Sequence, residues 1–177
     1  MTIKLSLAAA LGAAAIAAPA HAGELYGGVY RHAVDTPFTL DTQEGGVDVQ
    51  VGYRLDPVLP VVGIEPYVFG SVNSESGGTD FVGAGISRKF SLGGVYVRPG
   101  VGLVLHNAPS LRTNPATGVR TDLGSRVLFE PEIAIGLAVA PRVSVEASWV
   151  HISNARLFNS QQNPGIDLIG VRANLKL

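Results

Sequence analysis

The sequence predicts an all-β protein, an eight-stranded antiparallel transmembrane β-barrel, on three observations. Charged residues make up 15% of the 177-residue chain, whereas the surface of a soluble domain alone usually carries about 25–35%. No apolar run after residue 22 reaches the length of about 20 residues that a membrane helix needs. The remaining chain instead breaks into eight stretches of two-residue alternation, joined by connections that are short and long in strict turn. A closed barrel pairs every backbone N–H and C=O and leaves no sheet edge, so it is the β-structure that a bilayer tolerates.

The first residues stand apart from this pattern. Lys4 precedes an Ala/Leu-rich run over 5–18, and Pro19-Ala20-His21-Ala22 ends it with small residues in alternate positions. This is the form of a secretory signal peptide cleaved near Ala22, which leaves 23–177 as one outer-membrane barrel domain. The chain contains no cysteine, so disulfides and thiolate metal sites are excluded. Net charge is −1, becoming −2 once Lys4 is removed, and offers no basic field for nucleic acid. No pair of histidines at metal-ligand spacing and no glycine-rich phosphate loop after a strand is present, so neither metal nor cofactor is expected.

The eight expected strands are 24–32, 46–55, 62–73, 80–90, 94–106, 125–139, 143–154 and 166–177. Each alternates Val, Ile, Tyr or Phe with glycine or polar residues, which favours strand over helix. In the second, Val47, Val49, Val51, Tyr53 and Leu55 oppose Asp48, Gln50, Gly52 and Arg54. The third is less regular, because Tyr67 and Phe69 share parity with Glu65 and Ser71. In the fourth, Gly83-Ala84-Gly85 suits close packing in a narrow barrel. The fifth sets Val95, Val97, Val101, Leu103 and Leu105 against Tyr96, Arg98 and His106. The sixth sets Val127, Phe129, Ile133, Ile135 and Leu137 against Arg126, Glu130 and Glu132, and the last alternates Ile169, Val171, Ala173 and Leu175 with Arg172, Asn174 and Lys176. Three connections, at 56–60, 91–93 and 140–142, are tight. The other four, at 33–45, 74–79, 107–124 and 155–165, are longer and polar. Tight periplasmic turns and long outer loops have this asymmetry.

Parity does not say which face is inside, and a soluble lipocalin-like barrel would turn the apolar face inward. The polar face decides the expectation. It is poor in lysine, rich in glycine and mixed in sign, so that Asp48, Glu65, Glu130, Glu132 and Glu146 can meet Arg54, Arg98, Arg172 and Lys176. Ion pairs and small residues suit a narrow interior, while a solvated exterior carries more charge. The apolar face is therefore expected to look outward at lipid.

On that face one stretch breaks the rule. Val143, Val145, Ala147 and Trp149 form the apolar side of the seventh strand, and His151 and Ser153 continue it at the same parity. Residues i and i+2 of a strand share a face about 6.5–7 Å apart, within reach of an imidazole and a hydroxyl. If the last hairpin is symmetric about Asn159, His151 lies opposite Asp167, and cross-strand Cβ atoms are about 4.5–5.5 Å apart. An acid that orients a histidine, which removes a serine proton, activates an otherwise poor nucleophile. Asn154 is a candidate for holding an oxyanion or supporting the site. The plainer alternative makes His151 and Ser153 interface residues beside a belt tryptophan, Trp149. Elsewhere, His106 has interior parity and reads as a hydrogen-bonding residue, and His32 carries no spacing signal. Arg112, Arg120 and Arg156 fall in outer loops, where they either contact lipid phosphates or are simply solvated.

The run His151-Ile152-Ser153-Asn154-Ala155, followed by Asn163-Pro164-Gly165-Ile166-Asp167, resembles the lipid A 3-O-deacylase family over about residues 149–170. The resemblance implies an outer-membrane serine esterase that removes the 3-O-linked acyl chain of lipid A in lipopolysaccharide. It also implies His151 as base, Ser153 as nucleophile and Asp167 as the orienting acid, on the outer wall near the outer-leaflet interface. This sequence departs from the family in having Asp167 where members often have Glu, in a slightly longer intervening loop, and in ending at Leu177 rather than an aromatic residue. Two other readings remain: a non-enzymatic structural or adhesin-type barrel that binds through loops 33–45 and 107–124, and a lipid acyltransferase. A homodimer is an assembly the sequence leaves open.

Overall fold

The computed structural model describes residues 23–177 except 40–43, 60, 109–111, 114, 115, 117, 119, 122 and 158–162. The expected leader, 1–22, and the Asn159 pivot lie outside the described residues. Among the described residues eleven strands follow in order: β1 (Gly23–Arg31), β2 (Val47–Leu55), β3 (Ile64–Asn73), β4 (Phe81–Arg88), β5 (Phe90–Leu92), β6 (Val95–His106), β7 (Arg112–Thr113), β8 (Arg120–Thr121), β9 (Val127–Ala140), β10 (Val143–Ile152) and β11 (Ile166–Lys176). One antiparallel sheet runs β4-β3-β2-β1-β11-β10-β9-β6-β5 and closes through a β4–β6 pairing. The expected fourth strand breaks at Lys89, so β5 continues β4 along β6 and the wall has eight staves. The third long connection, expected as loop, contains the separate β7–β8 hairpin.

The odd-numbered side chains face outward on β1, β2, β6, β9, β10 and β11, and the even-numbered ones, such as Val68 and Ile86, do so on β3 and β4. Val49 is 56% exposed, Ile135 60% and Val171 58%, while Arg54, Arg98 and Arg172 are buried within the lumen. This is the arrangement of a barrel built for apolar surroundings, and it excludes the lipocalin-like alternative, whose greasy face points in. Inside, Arg98 pairs with Glu146 at 2.6 Å and Glu24 at 2.8 Å, and Arg172 grips Glu132 at 2.5 and 2.8 Å and also meets Glu146. Arg54 pairs with Glu24, a partner the sequence reading did not include. The Tyr26 ring lies between Arg54 and Arg172, 4.8 and 5.0 Å from its centroid. Each buried guanidinium thus meets carboxylates and a ring face, which offsets the cost of removing it from water.

Three expectations about the interior change. Lys176 is exposed at the short-turn rim, where its backbone carbonyl accepts a bond from Arg142 Nε at 2.9 Å, and it does not join the ion pairs. Asp48 meets His32 rather than an arginine, because both lie near the long-loop end, away from the guanidinium layer. The irregular third strand is explained by Tyr67 and Phe69, which fill the narrow lumen beside Glu65 and Ser71. Tyr67 donates its hydroxyl proton to Glu130 there.

Near the long loops the chemistry of the two faces inverts. Val150, Ile152, Ile166 and Leu168 occupy the inward parity of β10 and β11 and are fully buried. Burying such side chains stabilises the fold by roughly 1.5–3 kcal/mol each. A greasy plug therefore fixes the register at this end, and Trp149, His151, Ser153 and Asp167 take the outward positions. A slip of one residue would exchange the two sets, so the plug is what keeps the polar group on the wall.

Candidate active site

The pairing of β10 with β11 sets His151 directly across from Asp167, and Trp149 across from Ile169. Ser153 follows the end of β10 and bridges to Phe129 of β9, its N–H donating to Phe129 O at 3.1 Å and its C=O accepting from Phe129 N at 2.8 Å. The three side chains form one line. His151 Nδ1 lies 2.8 Å from Asp167 Oδ1, and His151 Nε2 lies 3.0 Å from Ser153 Oγ. A carboxylate only accepts, so the Nδ1 proton points at Asp167 and Nε2 presents its lone pair to the serine hydroxyl. That tautomer is the one a general base needs.

Asp167 is wholly buried although it stands on the outer face, and the His151 side chain retains 16% exposure. The cover comes from the connection after β1. Val34 N–H donates to Asp167 O at 2.9 Å, and the hydroxyls of Thr36 and Thr39 both donate to Asp167 Oδ2. Trp149 Nε1–H donates to Oδ1 at 3.0 Å. Phe38 completes the surface, its ring 5.8 Å from that of Trp149 and edge-on to His151 at 6.5 Å. Trp149 is thus a partner of the acid, a contact beyond that of a belt residue. Its parity and its place opposite β11 were the available signals. No periodicity pointed to Thr36 and Thr39.

Gly165 leaves room for the imidazole. A Cβ at this position would come within 2.4 Å of His151 Cε1, well inside any normal contact. The ring is therefore seated against backbone.

Asn154 occupies a different place from the histidine and serine. It is fully buried, its Nδ2 donating to Leu123 O at 3.0 Å and its Oδ1 accepting from Arg156 N at 2.7 Å. Ala155 and Arg156 have φ of 52° and 59°, and Leu157 N–H closes the turn on Asn154 O at 3.1 Å. Left-handed backbone costs ordinary residues roughly 1–2 kcal/mol each, and the Asn154 side chain holds that turn immediately beyond Ser153. Its even number already carried the inward direction. These bonds suit the supporting half of its expected role and leave its amide turned away from the wall.

The remaining candidates are separate from this group. His106 donates from Nε2 to Ser125 O at 2.6 Å and accepts Ala108 N–H at Nδ1, 3.2 Å, as an interior hydrogen-bonding residue does. His32 is buried between Asp48 and Glu44. Arg156 is exposed, and the side chains of Arg112 and Arg120 lie outside the described residues. Among the described residues no group of three or more His, Asp or Glu side chains could hold a metal ion.

Comparison with known proteins adds the lineage. Among curated proteins none matches the chain by sequence. The crystal structure of the outer membrane enzyme PagL superposes with a TM-score of 0.61 at 19% identity, covering 87% of this chain and 99% of that one. Neisserial surface protein A gives 0.57 at 13% identity, covering 88% and 97%, respectively. The N-terminal barrel domain of Pseudomonas aeruginosa OprF gives 0.55 at 10%, covering 88% and 98%. At these identities the structural likenesses establish the fold alone, an eight-stranded barrel of the outer-membrane kind. The sequence itself matches the model of a family described as lipid A 3-O-deacylase (PagL) over residues 42–176. That span takes in His151, Ser153 and Asp167 together with all but the first strand of the barrel, and the chain belongs to the lipid A 3-O-deacylase (PagL) family.

Proposed function

We propose that this protein is an outer-membrane serine esterase that hydrolyses the 3-O-linked acyl chain of lipid A. The observation that carries the reading is the Asp167–His151–Ser153 line, with links of 2.8 and 3.0 Å, on the outer wall of a barrel whose exterior is apolar. A water-soluble substrate would have no reason to approach there. A lipid lying in the outer leaflet approaches by lateral diffusion, with its ester at headgroup depth and its chain along the wall. Family membership and the outer-membrane barrel fold support both the substrate class and the location.

In this mechanism His151 Nε2 removes the Ser153 proton as Oγ attacks the ester carbonyl, while Asp167 holds the imidazole and stabilises its positive charge. The tetrahedral intermediate collapses, His151 returns the proton to the departing 3-hydroxyl, and the acyl group remains on Ser153. Water, deprotonated by the same nitrogen, then releases the fatty acid. Asn154 supports the turn that ends the strand at Ser153. For its amide to reach the oxyanion, it would have to leave Leu123 O. No step requires a metal.

The test is expression in an outer membrane, followed by mass spectrometry of lipid A for wild type, Ser153→Ala and His151→Ala. Loss of one hydroxyacyl mass in the wild type, absent from both variants, supports the esterase. A mass gain indicates acyl transfer to a second lipid, and unchanged lipid A in the wild type returns the protein to the structural barrels.

A further inference from the structure

We infer that Thr36 and Thr39, in the connection between β1 and β2, are positioning residues for the esterase reaction: they hold the far oxygen of Asp167 so that its near oxygen stays on His151. The inference rests on the reaction proposed above and extends its machinery to a loop outside the stretch that carries the family resemblance.

A carboxylate has about four lone-pair sites, and its charge is tolerated away from water only when they are filled. Asp167 has all four. Oδ1 accepts from His151 Nδ1 at 2.8 Å and Trp149 Nε1 at 3.0 Å, and Oδ2 accepts from the hydroxyls of Thr36 and Thr39. Each threonine carries one hydroxyl proton, and each spends it on Oδ2. Their mutual Oγ1···Oγ1 contact of 3.1 Å therefore carries no proton and reflects two donors converging on one acceptor.

The backbone builds this convergence. Thr36-Pro37-Phe38-Thr39 is a tight turn, with Thr39 N–H donating to Thr36 O at 3.2 Å and Phe38 N–H donating to Thr36 Oγ1 at 3.1 Å. Pro37 at the second position fixes φ for such a turn and contributes no N–H of its own. Val34 N–H, bonded to Asp167 O, ties the same segment to β11. Main chain and side chain of one residue are thus gripped by one loop.

The consequence concerns rotation. Without donors on Oδ2, the carboxylate would turn an unpaired charged oxygen toward the apolar wall, or swing away from His151 to find a partner. Either outcome releases the imidazole from the orientation in which Nε2 faces Ser153. Misplacements of about 1 Å in such a relay cost on the order of 10²-fold in rate.

The test compares Thr36→Val/Thr39→Val, which keeps shape and removes the donors, with Thr36→Ser/Thr39→Ser, which keeps the donors. Two measurements are made on folded barrels, selected by heat-modifiable migration. One is lipid A deacylation in mixed micelles; the other is labelling of Ser153 by a long-chain fluorophosphonate, in which Oγ displaces fluoride from phosphorus. The valine variant is expected to lose roughly ten- to a hundred-fold in kcat and in labelling rate, with KM within about two-fold of wild type. The serine variant is expected to recover most of both. If the double variant does not fold, either single valine variant gives the same reading with a smaller loss.

A valine variant that labels and turns over like wild type overturns the inference and leaves the esterase intact. A serine variant as slow as the valine one also overturns it, because packing rather than the hydroxyl would be responsible. Wild type that labels at Ser153 but leaves lipid A unchanged removes the substrate while the clamp is still judged by labelling. Wild type inert to both reagents removes the esterase and the inference together.

Discussion

Two histidine–aspartate pairs stand among the described residues, and their second partners differ. On the outer wall, His151 has Asp167 on Nδ1 and the Ser153 hydroxyl on Nε2. In the lumen, just past the end of β1, His32 has Asp48 on Nδ1 at 3.0 Å and Glu44 on Nε2 at 2.9 Å. Burial alone would lower the pKa of His32, but its hydrogen bonds to Asp48 and Glu44 outweigh that and push it up to about 9. Both of its ring nitrogens donate, so no lone pair is left for chemistry. It is a fixed cation joining the two ends of the first long loop to β2. The same imidazole beside a hydroxyl keeps one nitrogen bare. The acid orients the ring in both pairs; the group on the other nitrogen separates the fastener from the base proposed for His151.

The sharpest way to break the comparison is to remove the proposed base. His151→Ala should lower turnover by roughly 10⁴–10⁶-fold while the barrel still migrates as folded on unheated gels; retention of activity would show that the bare nitrogen is not used. Next in size, Asp167→Asn should cost roughly 10²–10⁴-fold, since an amide that donates to Nδ1 forces the wrong tautomer. Steady-state kinetics on purified protein, with kcat falling more than KM rises, is the check. Gly165→Ala should reduce turnover by roughly 10–10²-fold by pushing the ring off its seat, without moving the unfolding midpoint by more than a surface substitution would.

The lumen pair should answer to stability instead. His32→Gln breaks a buried charged pair, a change that costs about 3–5 kcal/mol in proteins generally, read as an earlier urea midpoint with a smaller effect on turnover than any substitution above. The smallest effect is in pH. Because the His32 pKa in the fold stands above the ordinary 6.5, its contribution is complete below pH 6.5 and fades as pH rises through about 9. Wild-type midpoints should fall across that window relative to those of His32→Gln, and parallel curves would remove the assignment.

Much of the wall site was legible because strand geometry is rigid. A period of two fixed the faces, and symmetry about Asn159 gave the His151–Asp167 pairing found in the structure. The strand limits differ from the expected ones by a few residues at most, apart from the break at Lys89, which alternation does not encode. Parity also held information that went unused. Glu24, which meets the luminal Arg54 and Arg98, and the buried His32 and Asn154 are all even-numbered and all face inward. Thr36 and Thr39 were illegible for a different reason. They reach Asp167 across more than a hundred residues of sequence, through a loop whose path no repeat specifies. Only the turn chemistry around Pro37 was visible locally, and it does not say what the turn will touch.

The packed lumen has one more consequence. Among the described residues, guanidinium–carboxylate pairs and phenol rings occupy the part of the lumen that a porin leaves to water. Chemistry on the outside of the cylinder, as proposed here, would make no demand on its packed inside.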